Sequence, residues 1–287
     1  MSTVLVPMHE LLQQAEKEGY ALPALNFCNL ETMYSMLQAA QELRAPIILQ
    51  AAASEVYYFG EDLMAECVRR ASDQYGVAVA LHLDHGREYK EAMKCIRRGF
   101  TSVMFDGSSL PYEQNVGITK SIVQAAHAVG VSVEGELGTI MGAEDSAFIN
   151  SDAEALTDPR AAADFARETG VDALAVAIGT AHGFYKKEPK LDFERLTTIR
   201  KFTNNLPIVL HGGTGIPESS IKKAVSLGIR KINFSTIIRA DFIQAFRQYS
   251  VENPEEYMLM TISKVAMNKV KEAVSGFITL LGCNNRV

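Results

Sequence analysis

Nothing in the 287-residue chain approaches the roughly 18 uninterrupted apolar residues of a membrane-crossing helix, so none is expected. The first twenty residues, MSTVLVPMHELLQQAEKEGY, lack a basic n-region, a long apolar core and a small-residue cleavage site. They read as a cytoplasmic start, not a signal peptide. Basic clusters are missing too. With 28 Lys and Arg against 34 Asp and Glu the net charge is −6. Without grouped cations, neither nucleic acid nor an anionic membrane is an expected partner. The four cysteines, Cys28, Cys67, Cys95 and Cys283, are scattered, with no CxxC, which argues against a zinc ribbon or a disulfide framework. No linker or low-complexity segment divides the chain, so residues 1–287 are expected to form one domain. What is left is an ordinary globular composition, 47% hydrophobic and 22% charged.

One pattern recurs eight times: a short β-rich apolar run, a loop with Gly, His, Asp or Ser, then a helical stretch. The runs are 21–27, 45–51, 77–85, 102–108, 131–138, 173–183, 207–213 and 231–236. Helical periodicity fills the intervals, as in LETMYSMLQAAQELR (30–44) and EYKEAMKCIRRG (88–99), with proline or glycine at the changeovers. Continuous apolar strands separated by helices imply a parallel sheet buried on both faces. Eight such units imply a (β/α)8 barrel, an α/β fold; an open doubly wound sheet is the competitor. Extra helices are expected over about 237–249 and 256–281. The second is longer than a closing helix needs, which suggests packing on a neighbouring subunit.

In such a barrel the chemistry sits at the C-terminal strand ends, and reactive residues gather there. Asp84 and His85 end the third run, Asp106 the fourth, Glu134 and Glu136 the fifth, His182 the sixth and His211 the seventh. Only His9 and His127 of the six histidines lie elsewhere. His85, His182 and His211 are each followed by glycine. A single histidine at such a place is more often structural; three at one rim match the ligand set of a catalytic zinc or another borderline divalent ion. By strand alternation His82 points away from His85, as a packing residue or a support to the ligands. Asp106 and Glu136 are alternative ligands or partners of the histidines, Glu134 shares the strand face of Glu136, and the bland reading of all three is a solvated barrel mouth.

After the seventh and eighth runs, LHGGTGIPESS (210–220) and INFST (232–236) offer backbone N–H groups at helix starts, where barrels commonly bind phosphate. A divalent ion near a phosphate clamp suits a phosphorylated ketone, with Asp84 taking a hydroxyl proton as a C–C bond breaks.

HLDHG, FDGS, VEGELG, GTAHGFYKKEPKLDF, LHGGTG and INFST occur in this order over almost the whole chain. The set resembles the class II, zinc-dependent ketose-bisphosphate aldolases, closest to the tagatose-bisphosphate subgroup through NLET (29–32) and the GC…R ending (282–286). The resemblance implies reversible cleavage of a phosphorylated ketose, such as tagatose or fructose 1,6-bisphosphate, into dihydroxyacetone phosphate and an aldehyde. It implies His85, His182 and His211 as zinc ligands, with Asp106 and Glu136 at positions linked to a second or displaced metal, a divalent or monovalent cation. Asp84 becomes the acid–base at the C4 hydroxyl, and Glu144 the mobile-loop carboxylate that moves the proton at carbon. Gly183, Gly212, Gly213, Thr214, Asn233, Phe234, Ser235 and Thr236 match contacts to the dihydroxyacetone phosphate half. A homodimer or homotetramer is implied, with room for an accessory subunit.

Four departures weaken the assignment of the aldehyde half. Ala143 replaces a loop glycine, Ala52 a Ser or Thr, Ser235 an acid, and Ser275 the arginine of the distal phosphate. A ketose 1-phosphate with an unphosphorylated aldehyde half is therefore an alternative. A Schiff-base aldolase would need a lysine at the active rim; Lys231, opening the eighth run, is expected at the opposite one. A non-catalytic partner subunit would have lost Asp84 or a ligand, and a metal-free isomerase would not need three rim histidines.

Overall fold

The computed structural model describes residues 5–140 and 156–286. The eight runs form eight strands: β1 (Leu22–Asn26), β2 (Ile47–Ala52), β3 (Val79–Gly86), β4 (Ser102–Phe105), β5 (Ser132–Leu137), β6 (Ala173–Val176), β7 (Ile208–Leu210) and β8 (Ile229–Phe234). Each pairs in parallel with its successor and β8 pairs with β1, closing the barrel. The helices are α1 (Met8–Glu18), α2 (Leu30–Glu42), α3 (Ala53–Phe59), α4 (Met64–Tyr75), α5 (Tyr89–Arg97), α6 (Tyr112–His127), α7 (Pro159–Thr169), α8 (Phe193–Phe202), α9 (Glu218–Ser226), α10 (Thr236–Glu252) and α11 (Leu259–Leu281). Among the described residues no helix is long and apolar enough to cross a membrane.

Helix starts follow local chemistry. Asn29 caps α2 by accepting from the Thr32 N–H, Asp158 caps α7 ahead of Pro159, and Asp192 caps α8. The NLET signature is thus the α2 cap. The GC…R ending is likewise structural: Gly282 caps α11, Cys283 is buried, and Arg286 lies over the Tyr20 ring and pairs with Glu18.

Two expectations are corrected. The sixth and seventh runs are strands only to Val176 and Leu210, so His182 and His211 sit on loops just beyond them. Strand β8 starts at Ile229, which makes Lys231 its third residue; it is fully buried inside the barrel, not at the opposite rim. Helix α11 completes the barrel wall. Its apolar stripe, Ala266, Val270, Val274 and Ile278, is buried and the helix packs on α2 and β1, while Phe277 stacks on Phe234 at 3.9 Å. The outlying helix is α10, which lies against α11 and buries little beyond Thr236 and Ile238.

The outer faces of the strands are apolar and tightly filled. A Cβ on Gly135, in β5, would lie 2.7 Å from the Phe165 ring of α7. Overpacking of this kind costs roughly 1–3 kcal/mol. Gly135→Ala should lower stability by about that amount in urea denaturation, and adding Phe165→Leu should recover most of it by making room. No loss in the single variant would mean that α7 is not seated on β5.

Candidate active site

The stretch HLDHG does not follow strand alternation. His85 has φ 47°, in the left-handed region, and the β3–β4 register breaks between Leu83 and Gly86. A bulge of this kind re-aims a side chain. The pairing resumes where the Asp106 N–H donates to the Gly86 carbonyl at 2.8 Å. As a result His82, Asp84 and His85 all project into the barrel. His82 therefore does not point away from His85. It sits a layer deeper, bonded to Ser102 at 2.7 Å with its Nε2 3.5 Å from Glu134.

His85, His182 and His211 converge as expected. Each can offer one ring nitrogen within 4.8 Å of the others, and a His85 nitrogen and one carboxylate oxygen each of Asp106 and Glu136 lie equally close together. The tautomers follow from the outer partners. His85 Nδ1 faces Asp106 at 3.1 Å and His211 Nε2 faces Glu134 at 2.9 Å, so these nitrogens carry the protons. That leaves the lone pairs of His85 Nε2 and His211 Nδ1 facing each other at 2.9 Å. Two lone pairs so placed require a shared proton or a cation. The ring of His182 completes the cluster, 4.9 Å from His85 and 5.8 Å from His211.

The surroundings are short of positive charge. Burial opposes a charged His85, yet Asp84, the bond to Asp106 and Glu136 together push its pKa up to about 10. Burial also opposes ionisation of Asp106, but its bond to His85 prevails and holds it below the usual carboxylate range. Glu136 is displaced the other way, well above that range, by burial and by Asp106, and its Oε2 is buried without a hydrogen-bond partner. Burial, with help from His85 and Lys231, keeps His211 neutral to well below the ordinary value. Converging imidazole lone pairs, a carboxylate behind each of two rings and one unpartnered carboxylate oxygen fit a borderline divalent cation.

Asp84 is fully buried and gripped from two strands. The Asn26 amide donates to Oδ2 at 3.1 Å and the Asn233 amide to Oδ1 at 3.2 Å. Behind them Gln50 donates to Asn26 at 2.7 Å and Lys231 donates to Asn233 at 2.8 Å. The Lys231 ammonium also pairs with Glu134 at 2.9 Å. A continuous bonded path thus runs from Gln50 through Asp84, Lys231, Glu134 and His211 to His85 and Asp106. Asn26, Gln50 and Lys231 were missed in the sequence. Their signal is a polar residue on the inward parity of an otherwise apolar strand.

A cleft of about 410 Å³ opens from this cluster, lined among others by Ala52, Ser54, Arg87, Asp106, Glu136 and His182. Beside it a small recess is lined by His182, Gly183, Gly212, Thr214, Asn233, Ser235 and Thr236. The Ser235 hydroxyl there is buried without a partner. Gly212 has φ 68°, and a Cβ on it would collide with the Ala181 carbonyl. Tyr185, also missed, bridges the two loops by accepting from the Ala181 N–H and donating to the Gly212 carbonyl. Two expected phosphate contacts are placed differently. The Gly213 N–H is already given to the Asn233 carbonyl, and Phe234 turns outward onto Phe277. Glu144 and Ala143 lie outside the described residues.

The chain matches the family model described as class II fructose-bisphosphate aldolase over residues 6–286. Among solved structures it is similar to the YdjI aldolase of Escherichia coli K12, with 31% identity, 98% of this chain and 99% of that one covered, and a TM-score of 0.87. It is also similar to the fructose-bisphosphate aldolase of Campylobacter jejuni, with 25% identity, coverage of 98% and 95%, and a TM-score of 0.84.

If Asp106 orients the His85 ring, Asp106→Ala should weaken divalent-ion binding roughly 10–100-fold. Competition against a chromophoric chelator measures this, and an unchanged affinity would remove Asp106 from the centre.

Proposed function

The chain belongs to the class II fructose-bisphosphate aldolase family, a family of carbon–carbon lyases, and from that premise we propose a zinc-dependent aldolase that reversibly splits a phosphorylated ketose into dihydroxyacetone phosphate and an aldehyde. The observation that carries the reading is the convergence of the His85, His182 and His211 nitrogens directly beside Asp84. In this reading the three histidines hold the ion, with Asp106 and Glu136 as its partners or a second cation position. Zinc bound there would polarise the ketose carbonyl and favour the negative charge that develops on cleavage.

The remaining steps belong to the chain. The recess of Gly183, Gly212, Thr214, Asn233, Ser235 and Thr236 takes the phosphate of the dihydroxyacetone half, Ser235 spending its free hydroxyl on it. Gly213 and Phe234 shape that recess through the backbone and through packing. Asp84, held in one orientation by Asn26 and Asn233, takes the C4 hydroxyl proton. The C3–C4 electron pair then passes toward the carbonyl as the aldehyde forms. Glu144 is assigned the proton at C3. Burial of Asp84 keeps water from competing for that proton.

The aldehyde half extends into the wider cleft. Ala52 faces it without a hydroxyl, and Ser54, Arg87 and Ser108 are among the polar groups of its lining. Tagatose or fructose 1,6-bisphosphate is the first substrate reading, and a ketose 1-phosphate the second, favoured by the apolar Ala52. We read residues 1–287 as one cytoplasmic domain that assembles as a homodimer or homotetramer. Exposed Tyr57 and Tyr58 on α3, and Tyr257, Met258, Leu259 and Met260 at the start of α11 and just before it, support association.

The test is an assay coupled to dihydroxyacetone phosphate with both bisphosphates and a ketose 1-phosphate, with and without EDTA. Release abolished by EDTA and restored by zinc is expected, and the preferred ketose assigns the aldehyde half. Protein that holds no zinc and releases nothing overturns the reading. Asp84→Asn should lower kcat roughly 10²–10⁴-fold while zinc content stays unchanged; a loss of zinc instead would make Asp84 a ligand.

A further inference from the structure

Glu55 belongs to none of the residues assigned above, yet only the Asn26 amide separates it from Asp84. It stands in the first turn of α3, half-buried. Its Oε2 accepts from the Ala52 N–H at 2.9 Å and from the Asn26 amide at 3.0 Å. That amide is then fully spent: its oxygen accepts from Gln50 and its two N–H groups go to Glu55 and Asp84. Turned over, it would aim its oxygen at two carboxylates. Only one orientation is therefore compatible with Glu55, and it is the one that grips Asp84.

From this arrangement we infer that Glu55 is a positioning residue for the cleavage reaction, locking the Asn26 amide so that Asp84 stays aimed at the substrate hydroxyl. The inference rests on the proposed role of Asp84. A helix cap alone would account for the bond to Ala52. It would not account for the bond to Asn26, nor for placing the carboxylate where burial pushes its pKa up to about 7, despite the bonds from Asn26 and Ala52. The charged and titratable groups around it are Asp84 on β3, Arg239 on α10 and Cys28 beyond β1.

The amide arrangement also predicts which replacement works. Glutamine can accept from the Asn26 and Ala52 N–H groups through one oxygen; alanine cannot. Glu55→Ala should lower kcat roughly 10–100-fold through misaimed Asp84, with KM within about twofold. Glu55→Gln should restore most of that kcat. The decisive comparison is a double-mutant cycle with Asn26→Ala. In that background Glu55→Ala should change kcat by less than about twofold, because its route to Asp84 is already gone.

Additive losses, or a loss confined to KM, would overturn the positioning role and leave a helix cap or a substrate contact. The Asn26 side-chain amide resonance in ¹⁵N NMR supplies a readout that needs no turnover. It should shift in Glu55→Ala and hold in Glu55→Gln, and an unmoved resonance in both would sink the inference. If the parent enzyme cleaves none of the ketoses while Asn26 responds to Glu55, the clamp stands and the substrate reading falls.

Discussion

The fully buried ammonium of Lys231 organises the interior of this barrel. One oxygen of Glu134 pairs with it, and the other receives the His211 N–H; through Asn233 the same ammonium reaches Asp84. An unpaired buried charge is costly, and breaking such a pair typically costs about 3–5 kcal/mol. The pair therefore fixes two features of the site together: which nitrogen of His211 presents its lone pair, and how one edge of Asp84 is held. Most barrels of this kind fill their centre with branched apolar side chains. Here Asn26, Gln50, His82, Asp84, Glu134, Glu136, Lys231 and Asn233 are buried instead. The apolar filling is displaced to the outer strand faces and to α11.

The sequence made the architecture legible because each strand carries an apolar run, continuous on its outer face, and a turn former marks most of the changeovers. Closure of β8 on β1 follows from eight units. The three histidines were legible for the same reason: each stands where its run gives way to glycine. What could not be read was parity at a bulge. Strict alternation of successive residues sends His82 and His85 to opposite sides, and only the left-handed backbone at His85 brings them to one side. The bounds of β8 were lost differently. Its first residues, Ile229 and Arg230, follow a helix end closely, and without them Lys231 reads as the start of the strand instead of its interior.

Family signatures proved to be of two physical kinds. HLDHG, LHGGTG and INFST place polar groups around the cleft. NLET and the GC…R ending hold the frame, the first by capping α2 and the second by tying the chain's last turn to Tyr20 and Glu18. Motifs of the second kind indicate shared ancestry while saying little about the aldehyde half of the substrate. In the proposed reading that half depends on the cleft around Ala52, Ser54 and Arg87, residues that no motif groups together.

Pairing of the first strand with the last sets a timetable for synthesis. Strand β1 finds its second neighbour only when β8 has emerged, and α11 covers that seam later still. At about 5–20 residues per second on the ribosome, β1 keeps an open edge for on the order of ten seconds or more. Glu134 meanwhile waits for Lys231, which arrives with β8. The half-made chain is therefore a curved open sheet with an unneutralised carboxylate at its centre. Shielding by a chaperone matters most in that interval, before the ring is joined.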